Sequence, residues 1–580
     1  MEKPRIGVYV CWCGTNIAKM VDVEAVTNEI GKLPNVVISK NYKYMCSDPG
    51  QDLIVKDIKE HKLNRIVVSA CSPRIHELTF RKALEKAGLN PYLFEMANIR
   101  EQDSWVHTDR TEATKKAKAL VAAAVNRVNF HEPLDARTVD INPSTLIIGG
   151  GIAGITAALE IADAGKTVYL IEKSKSLGGY SSKIDLTFPY MTSAQQMIKP
   201  LIVSVKTNKN IQLFLETEIK EIFGYIGNFE STITPKNGKE VKLIFGNIII
   251  ATGLKPSDAS KVTNYGYGKI PDVITSLELE EMLLKGKIVK KNGGEPKNIA
   301  IIHCVGSRNK DYHEYCSRTC CLTALKYANQ LRSALSSSNI YELYADMRSM
   351  GKGCEELYTA TSKRNIMFLM FDQQNDLPKI KQADGKDYSM LIEMNEKLSG
   401  ESIEVPADMV ILMTGMEAHA NAKEIAHAVG ISMCGNSFYI EKHPKLDPVA
   451  TTTNGVYIVG GCQGPKDIPD SVSQARAAAA RIMGIMAKGS VTVEVTTACV
   501  NEDICCGCQT CIKVCPYTAI SFNEEKKVSV VNEILCKGCG TCGSACPTGA
   551  IRSRHFTDQQ IISQIEGLMS MSLSLELEEA

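Results

Sequence analysis

Aromatic side chains are scarce, at 6% of 580 residues with only two tryptophans. That gives no stacking platform for nucleic-acid bases. An excess of charge of either sign is missing too. The 66 basic and 65 acidic residues leave a formal net charge of +1, which argues against a nucleic-acid partner. No apolar run approaches the length of a membrane span. The opening Met1-Glu2-Lys3-Pro4-Arg5 has no signal-peptide pattern. The chain is therefore expected in the cytoplasm, without membrane insertion. In that reducing compartment its 21 cysteines read as metal ligands rather than disulfides. With 44% hydrophobic residues it is long enough for about three to five domains, each with its own core.

The cysteines cluster most tightly near the end. Cys505-x2-Cys508-x2-Cys511-x3-Cys515 precedes Pro516, and Cys536-x2-Cys539-x2-Cys542-x3-Cys546 precedes Pro547. Two residues between ligands let one loop wrap three corners of a [4Fe–4S] cube, and the fourth cysteine, before proline, ligates the other cube. Cys505, Cys508, Cys511 and Cys546 are thus expected around one cluster, and Cys536, Cys539, Cys542 and Cys515 around the second. A single Cys-x2-Cys would leave zinc open; two complete runs closed by proline point to iron–sulfur chemistry.

At the other end, residues 1–135 alternate strand and helix. Residues 5–10, 36–44, 64–70 and 91–96 read as strands, and 21–33, 51–62 and 77–87 as helices. This alternation predicts a doubly wound parallel sheet. Cys11, Cys46 and Cys71 each follow a strand and Cys13 is two residues on, at the edge where such sheets bind ligands. A metal site and four ordinary loop thiols both remain open there. Asp103 is a weaker candidate ligand. An alanine- and lysine-rich helix over 112–129 closes the domain, and 131–143 is a linker.

A nucleotide-binding unit follows. Gly149, Gly151 and Gly154 form G-x-G-x-x-G between strand 146–148 and helix 155–164. Ile152 and Ala153 supply the intervening amides, and the helix N-terminus is aimed at phosphate. Glu172 ends the next strand, where an acid accepts ribose hydroxyls. Lys173-x4-Gly178-Gly179 has a spacing like that of flavin disulfide reductases. Ala251-Thr252-Gly253 resembles their strand-to-loop signature, and residues 453–462 resemble their late return strand. That strand normally ends in Gly-Asp; here Gly461-Cys462 stands instead. A helix over 471–486 follows. FAD is the expected cofactor. Where a second dinucleotide loop is due, strand 298–303 continues as Cys304-Val-Gly306-Ser307-Arg308, without the glycines for NAD pyrophosphate. Cys316-x3-Cys320-Cys321 comes next. These four thiols read as a further cluster site or as reactive or structural thiols.

Taken together the chain resembles the heterodisulfide reductase A-subunit (HdrA) family of methanogens and related anaerobes. The resemblance is carried by Cys11-x-Cys13-Gly14, Tyr44-Met45-Cys46-x-Asp48-Pro49-Gly50, Ala70-Cys71-Ser72-Pro73-Arg74, Ala97-Asn98-Ile99-Arg100-Glu101, the flavin glycines, Tyr315-Cys316-Ser317-Arg318-x-Cys320-Cys321 and the ferredoxin pair. It implies an α/β multidomain chain: an N-terminal Rossmann-like cluster domain, a thioredoxin reductase-like FAD domain and a bacterial-type 2[4Fe–4S] ferredoxin domain. The expected boundaries are 1–135 for the N-terminal domain, 143–295 and 411–490 for the flavin domain, and 296–410 for the cysteine-bearing second region. The ferredoxin domain is expected at 498–556, and a helix and tail at 557–580. The resemblance implies Cys304, Cys316, Cys320 and Cys321 as ligands of a flavin-side cluster, and Cys11, Cys13, Cys46 and Cys71 as those of the N-terminal one. Four [4Fe–4S] clusters and one FAD result.

The resemblance further implies that electron pairs are split or merged at FAD (bifurcation or confurcation) and that single electrons move through the clusters. The expected partners are other heterodisulfide reductase-like subunits, ferredoxin, and a hydrogenase-, formate dehydrogenase- or reductase-type protein, with a homodimer inside the complex. Lys352 and Arg348 resemble a family segment close to the flavin, where a cation stabilises reduced flavin; a solvated loop is the plain alternative. The long form of the family carries an inserted ferredoxin module. Here 227–248 has no cysteine, which marks a short form. Two other readings are a non-bifurcating relay for a heterodisulfide, aryl-CoA or methylene-tetrahydrofolate reductase, and an NAD(P)H-dependent disulfide oxidoreductase of thioredoxin reductase type. The tail shows apolar Ile561, Ile562, Ile565 and Leu568 at helical spacing, for docking a partner or packing back on its own domain.

Overall fold

The computed structural model describes residues 3–579 other than 136, 237, 384–387 and 494, with side chains up to Met571. The chain forms two compact units, Met1–Val139 together with Thr492–Ala580, and Asp140–Val491. The N-terminal domain and the ferredoxin domain thus share one unit although the flavin segment separates them in sequence.

In the first unit β1 (Ile6–Cys11), β2 (Val36–Tyr42), β3 (Arg65–Ala70) and β4 (Phe94–Asn98) form a parallel sheet in the order β2-β1-β3-β4. β1 and β3 are buried at every residue. Such near-continuous apolar runs are expected of central strands covered on both faces. Around the sheet lie α1 (Val23–Ile30), α2 (Asp48–His61), α3 (Pro73–Ala87) and α4 (Arg110–Val128). α2 and α3 carry proline in the first turn, where its missing N–H costs nothing. Asp109 caps α4 by accepting the Thr111 and Glu112 amides. One element was not expected: Arg100–Ser104 is a single π-helical turn. Its polar sequence has no apolar period to betray it.

The ferredoxin domain pairs Ala498–Val500 with Ile551–Ser553 and Ile520–Asn523 with Val528–Val531, both antiparallel. Two short helices, Thr510–Val514 and Thr541–Ser544, complete it. The tail helix Asp558–Glu579 packs along α4, so it returns neither to its own domain nor entirely to solvent. The apolar residues Ile561, Ile562, Ile565 and Leu568 divide, with Leu568 packed against the core. Ile561, Ile562 and Ile565 point outward at 42%, 54% and 49% exposure, whereas Gln560, Ser563 and Met571 are buried. The contact is made by small residues. A Cβ on Gly567 would lie 2.8 Å from the Ala122 carbonyl oxygen, so the two backbones nearly touch.

The second unit holds two parallel sheets. The first runs Val456–Ile458, Asn247–Ile250, Ser144–Ile148, Thr167–Ile171, Ile211–Phe214. The second runs Val273–Thr275, Met409–Thr414, Asn298–Val305, Asn339–Tyr344, Met367–Met370. The expected borders at 295/296 and 410/411 therefore shift. The second sheet also takes Val273–Thr275, and its strand Met409–Thr414 runs through position 410. Parallel pairing, invisible in either segment alone, recruits those strands. No described helix is long and apolar enough to cross a membrane.

Candidate flavin and iron–sulfur sites

The phosphate loop is built by exclusion. A Cβ at Gly149 would sit 2.4 Å from the Ala251 oxygen, and one at Gly154 1.9 Å from the Gly149 oxygen. Only hydrogen fits there, which locks loop, neighbouring strand and α5 (Ile152–Asp163) together. At Gly151 a Cβ meets nothing within 4 Å. α5 starts at Ile152 without a side-chain cap, which leaves the amides of its first turn, Ile152, Ala153 and Gly154, open for an anion. These features fit a dinucleotide pyrophosphate.

Glu172 is placed at the loop by accepting the Gly150 and Ser174 amides at 2.7 and 2.8 Å. Lys173 Nζ lies 3.2 Å from His419 Nδ1. Gly178 donates its amide to the Gly150 oxygen at 2.8 Å, and Gly179 closes on Gly151. Thr252 and Gly253 leave the strand beside Gly149. Gly461, in the return turn, packs on Leu254. The Cys462 thiol is turned inward, donating to the Ile250 and Val459 oxygens at 3.3 and 3.2 Å. Burial pushes it up to about 11. Its contribution is to tie the return turn to the neighbouring strand Asn247–Ile250. The return helix spans Ile468–Lys488, longer than the expected 471–486, with Asp467 as its cap.

Beyond this loop the second sheet delivers thiols. Cys304, at the end of Asn298–Val305, takes φ +56°, and Cys320 and Cys321 open the helix Cys320–Ala334. Cys304, Cys320 and Cys321 are buried. The Cys320 thiol sits between the sulfurs of Cys304 and Cys321; it holds their pKa values down and its own up. His303, buried against Glu342, stands beside Cys321. Cys316 is half-buried, and its sulfur accepts the Arg318 amide at 3.2 Å. Arg318 stands in the family motif quoted above, but no role was assigned to it from sequence. Its guanidinium pairs with Asp470 in the first turn of the return helix. The cysteine loop is thereby tied to the flavin domain.

Lys466 was missed in the sequence. Burial lowers its pKa, with Cys462, Arg318, Asp470 and Glu441 around it. Its sequence signal, a lysine just before a helix cap, is too common to stand out. Of the two cations singled out in the sequence, Arg348 is committed to Asp346 at 3.2 Å, and Asp346 also holds Arg308 through both carboxylate oxygens. Lys352 is exposed, in a loop whose Gly353 lies against the Tyr190 ring.

In the first unit Cys11, Cys13, Cys46 and Cys71 converge at the carboxyl edge of the sheet. Burial raises the Cys11 and Cys46 thiols and pushes Cys71 up to about 12, with the neighbouring cysteines adding to each shift. Neighbouring thiolates repel one another, and a cation of several charges among them relieves that repulsion. Arg100, a motif residue whose role was not assigned from sequence, donates to Cys13 Sγ at 3.2 Å and is paired with Glu101. The Glu101 carboxylate in turn accepts the Ser72 amide at 2.9 Å. Asp103 does not join them: it is fully buried facing His107 at 3.2 Å.

In the ferredoxin domain one small cavity is lined by Cys515, Cys536, Cys539 and Cys542, the set expected for the second cluster. Peptide amides point at these sulfurs, Ala519 to Cys515 at 3.3 Å and Ala498 and Gly538 to Cys536 at 3.4 Å. Such donors stabilise thiolates and bound clusters. Cys511 and Cys546 share the small apolar core with Cys515 and Cys536, while Cys505 is half-buried and Cys508 exposed. Among the described residues no three cysteine sulfurs gather within 4.8 Å of one another, the spacing of a single-ion site. A groove of about 650 Å³ between Ile152, Met197, Leu201 and Arg476 contains no thiol.

Comparison with known proteins bears on these sites. Residues 143–302 match the pyridine nucleotide-disulphide oxidoreductase family, and 487–554 match the 4Fe-4S dicluster domain. The A subunit of the H(2):CoB-CoM heterodisulfide,ferredoxin reductase of Methanothermobacter thermautotrophicus is 41% identical, over 98% of both chains. The iron-sulfur A subunit of the CoB--CoM heterodisulfide reductase of Methanocaldococcus jannaschii is 39% identical, over 99% of this chain and all of its own. The chain belongs to the HdrA family of heterodisulfide reductases. It is a flavin-dependent iron–sulfur oxidoreductase subunit of that type. The first alignment extends over 655 positions against the 580 residues here, so this HdrA chain lacks stretches its relative carries. Among solved structures, T. acidophilum thioredoxin reductase aligns over 60% of this chain and all of its own, at 17% identity and TM-score 0.41.

Proposed function

We propose that this HdrA chain divides electron pairs at FAD, sending single electrons into four [4Fe–4S] clusters held by the four cysteine sets described above. A flavin exchanges two electrons and a cluster one, so the protein's task is to hold clusters beside the flavin and set their potentials. The ion pair between Arg318 and Asp470 carries this reading, because it binds the Cys316–Cys321 loop to the helix that returns to the flavin. The open amides at Ile152, Ala153 and Gly154 hold the pyrophosphate. Lys352 and Lys466 supply positive charge for reduced flavin, and the committed Arg348 orders the loop between them and Cys321. The protein works in the cytoplasm with heterodisulfide reductase-like subunits, ferredoxin and a hydrogenase-, formate dehydrogenase- or reductase-type donor, as a homodimer within the complex.

Anaerobically purified protein should hold about 16 iron and about one FAD per chain. About 8 iron would confine clusters to the ferredoxin domain and remove the split at FAD. In the assembled complex, ferredoxin reduction should require the simultaneous presence of a high-potential acceptor. Equal rates without that acceptor would make the protein a plain relay. The cysteine-free stretch 227–248, where the long form of the family carries an inserted ferredoxin module, favours that second reading, since that electron exit is not there.

A further inference from the structure

Two hydroxyls near Cys304 have no reason to be where they are in the protein alone. Tyr265 and Ser307 are both fully buried. Neither the Tyr265 Oη nor the Ser307 Oγ has a hydrogen-bond partner among the described residues. Buried polar groups are almost always satisfied, so two such hydroxyls call for an acceptor. Ser307 closes the turn after Cys304, donating its amide to the Cys304 oxygen at 3.0 Å. Its side chain lies at Gly415, where an added Cβ would be 3.1 Å from Ser307 Cβ and 3.3 Å from Ser317 Oγ. Ser317 belongs to the Cys316–Cys321 loop. The Ser307 hydroxyl is therefore lodged between the two segments that carry the four thiols. Tyr265 approaches from a different element, a short turn at Thr263–Tyr265, and Cys304 is among the charges its hydroxyl feels. Gln373 fixes the same turn by donating to the Cys304 and Ser307 oxygens at 3.0 and 2.8 Å.

We propose that Tyr265 and Ser307 donate hydrogen bonds to the sulfur of the cluster held by Cys304, Cys316, Cys320 and Cys321, and so make it a better electron acceptor than it would be without them. This rests on the reading of that set as a cluster site. The reduced cluster carries one more negative charge, and a hydroxyl dipole in a dry interior stabilises that charge more than the oxidised form. The two residues are positioned for one-electron acceptance from the flavin side and take no part in bond making.

The test is a potentiometric titration of full-length protein followed by electron paramagnetic resonance, on wild type, Tyr265→Phe and Ser307→Ala. Cys316→Ser identifies the signal belonging to this cluster. With iron and FAD contents unchanged, each variant should shift that one midpoint to more negative potential and leave the other clusters where they were. Unchanged midpoints at full iron content would overturn the proposal and leave the hydroxyls to water. Wild type about four iron short, with no signal lost in Cys316→Ser, would instead overturn the cluster assignment beneath it. The two variants sit on separate elements, so misfolding of one leaves the other to decide.

Discussion

Asp103 shows how burial alone sets a titration. Its carboxylate is fully buried, and burial pushes it up to about 6 although His107 and Lys116 oppose the shift. A carboxyl whose folded pKa is raised binds more protons when folded, so stability falls as pH climbs from the unfolded value towards about 6 and is level above it. The urea midpoint of the wild type should drop between pH 5 and 6.5, and Asp103→Asn should flatten that drop. An identical slope in the variant would show that His107 keeps the group ionised. Cys515 makes the second residue-scale case. It ends the first ferredoxin run yet lines the cavity of the second. Cys515→Ser should therefore cost about four iron and the signal of the Cys536, Cys539 and Cys542 cluster. Loss of the other cluster instead would show that each run binds alone. The crossing was legible from the proline after Cys515, because that residue turns the chain away. Arg100 and Arg318 stand in the family motifs, but their contacts to Cys13 and Asp470 were not legible there, and Lys466, a lone basic residue before a helix cap, carries no pattern.

At the scale of elements, the tail helix divides its apolar residues between two faces. The packed face is Gln560, Ser563, Gly567, Leu568 and Met571, and Ile561, Ile562 and Ile565 stay exposed, as the partner-docking reading needs. α4 offers Ala117, Ala122, Ala123 and Ala124, all buried, and such a surface favours close backbone approach over large side chains. Gln560 adds a hydrogen bond to the Phe130 oxygen at 2.9 Å, and His555 stacks on His131 with ring centroids 4.3 Å apart. Gly567→Val should force the helices apart and cost about 1–3 kcal/mol, read as a lower unfolding midpoint and as new proteolytic cleavage after residue 556. Unchanged cleavage would mean the tail is held by its ends. The Ile561, Ile562 and Ile565 ridge remains outside this contact. The strands and helices of the N-terminal sheet, by contrast, fall within a few residues of their expected positions. Long periodic segments bounded by turn residues announce themselves; a five-residue polar π turn does not.

For the whole molecule, the division into two units has a thermodynamic consequence. The chain should not unfold in one step. Calorimetry of the full-length protein should resolve two transitions, and FAD should act on only one, that of Asp140–Val491. At free FAD about 100 times its Kd, that unit gains about 2.7 kcal/mol. A single transition, or an equal shift of both, would mean that the units unfold together. The near-zero net charge adds an expectation of the same scale. Partners should be recognised by local surface rather than by a long-range field.

The amino-acid sequence by itself determined the chemistry: thiol runs at ferredoxin spacing, a glycine loop between strand and helix, and a second loop with cysteines in place of the glycines. These are local patterns, set by what a few consecutive residues allow the backbone to do. Only the tertiary structure decided which loops meet. It joined the two ends of the chain into one unit, brought Arg318 to Asp470, sent Cys462 into the core, and left the Tyr265 and Ser307 hydroxyls buried with no hydrogen-bond partner among the described residues. Such pairings depend on parallel strand order and on close packing between distant segments, and neither leaves a trace in local sequence.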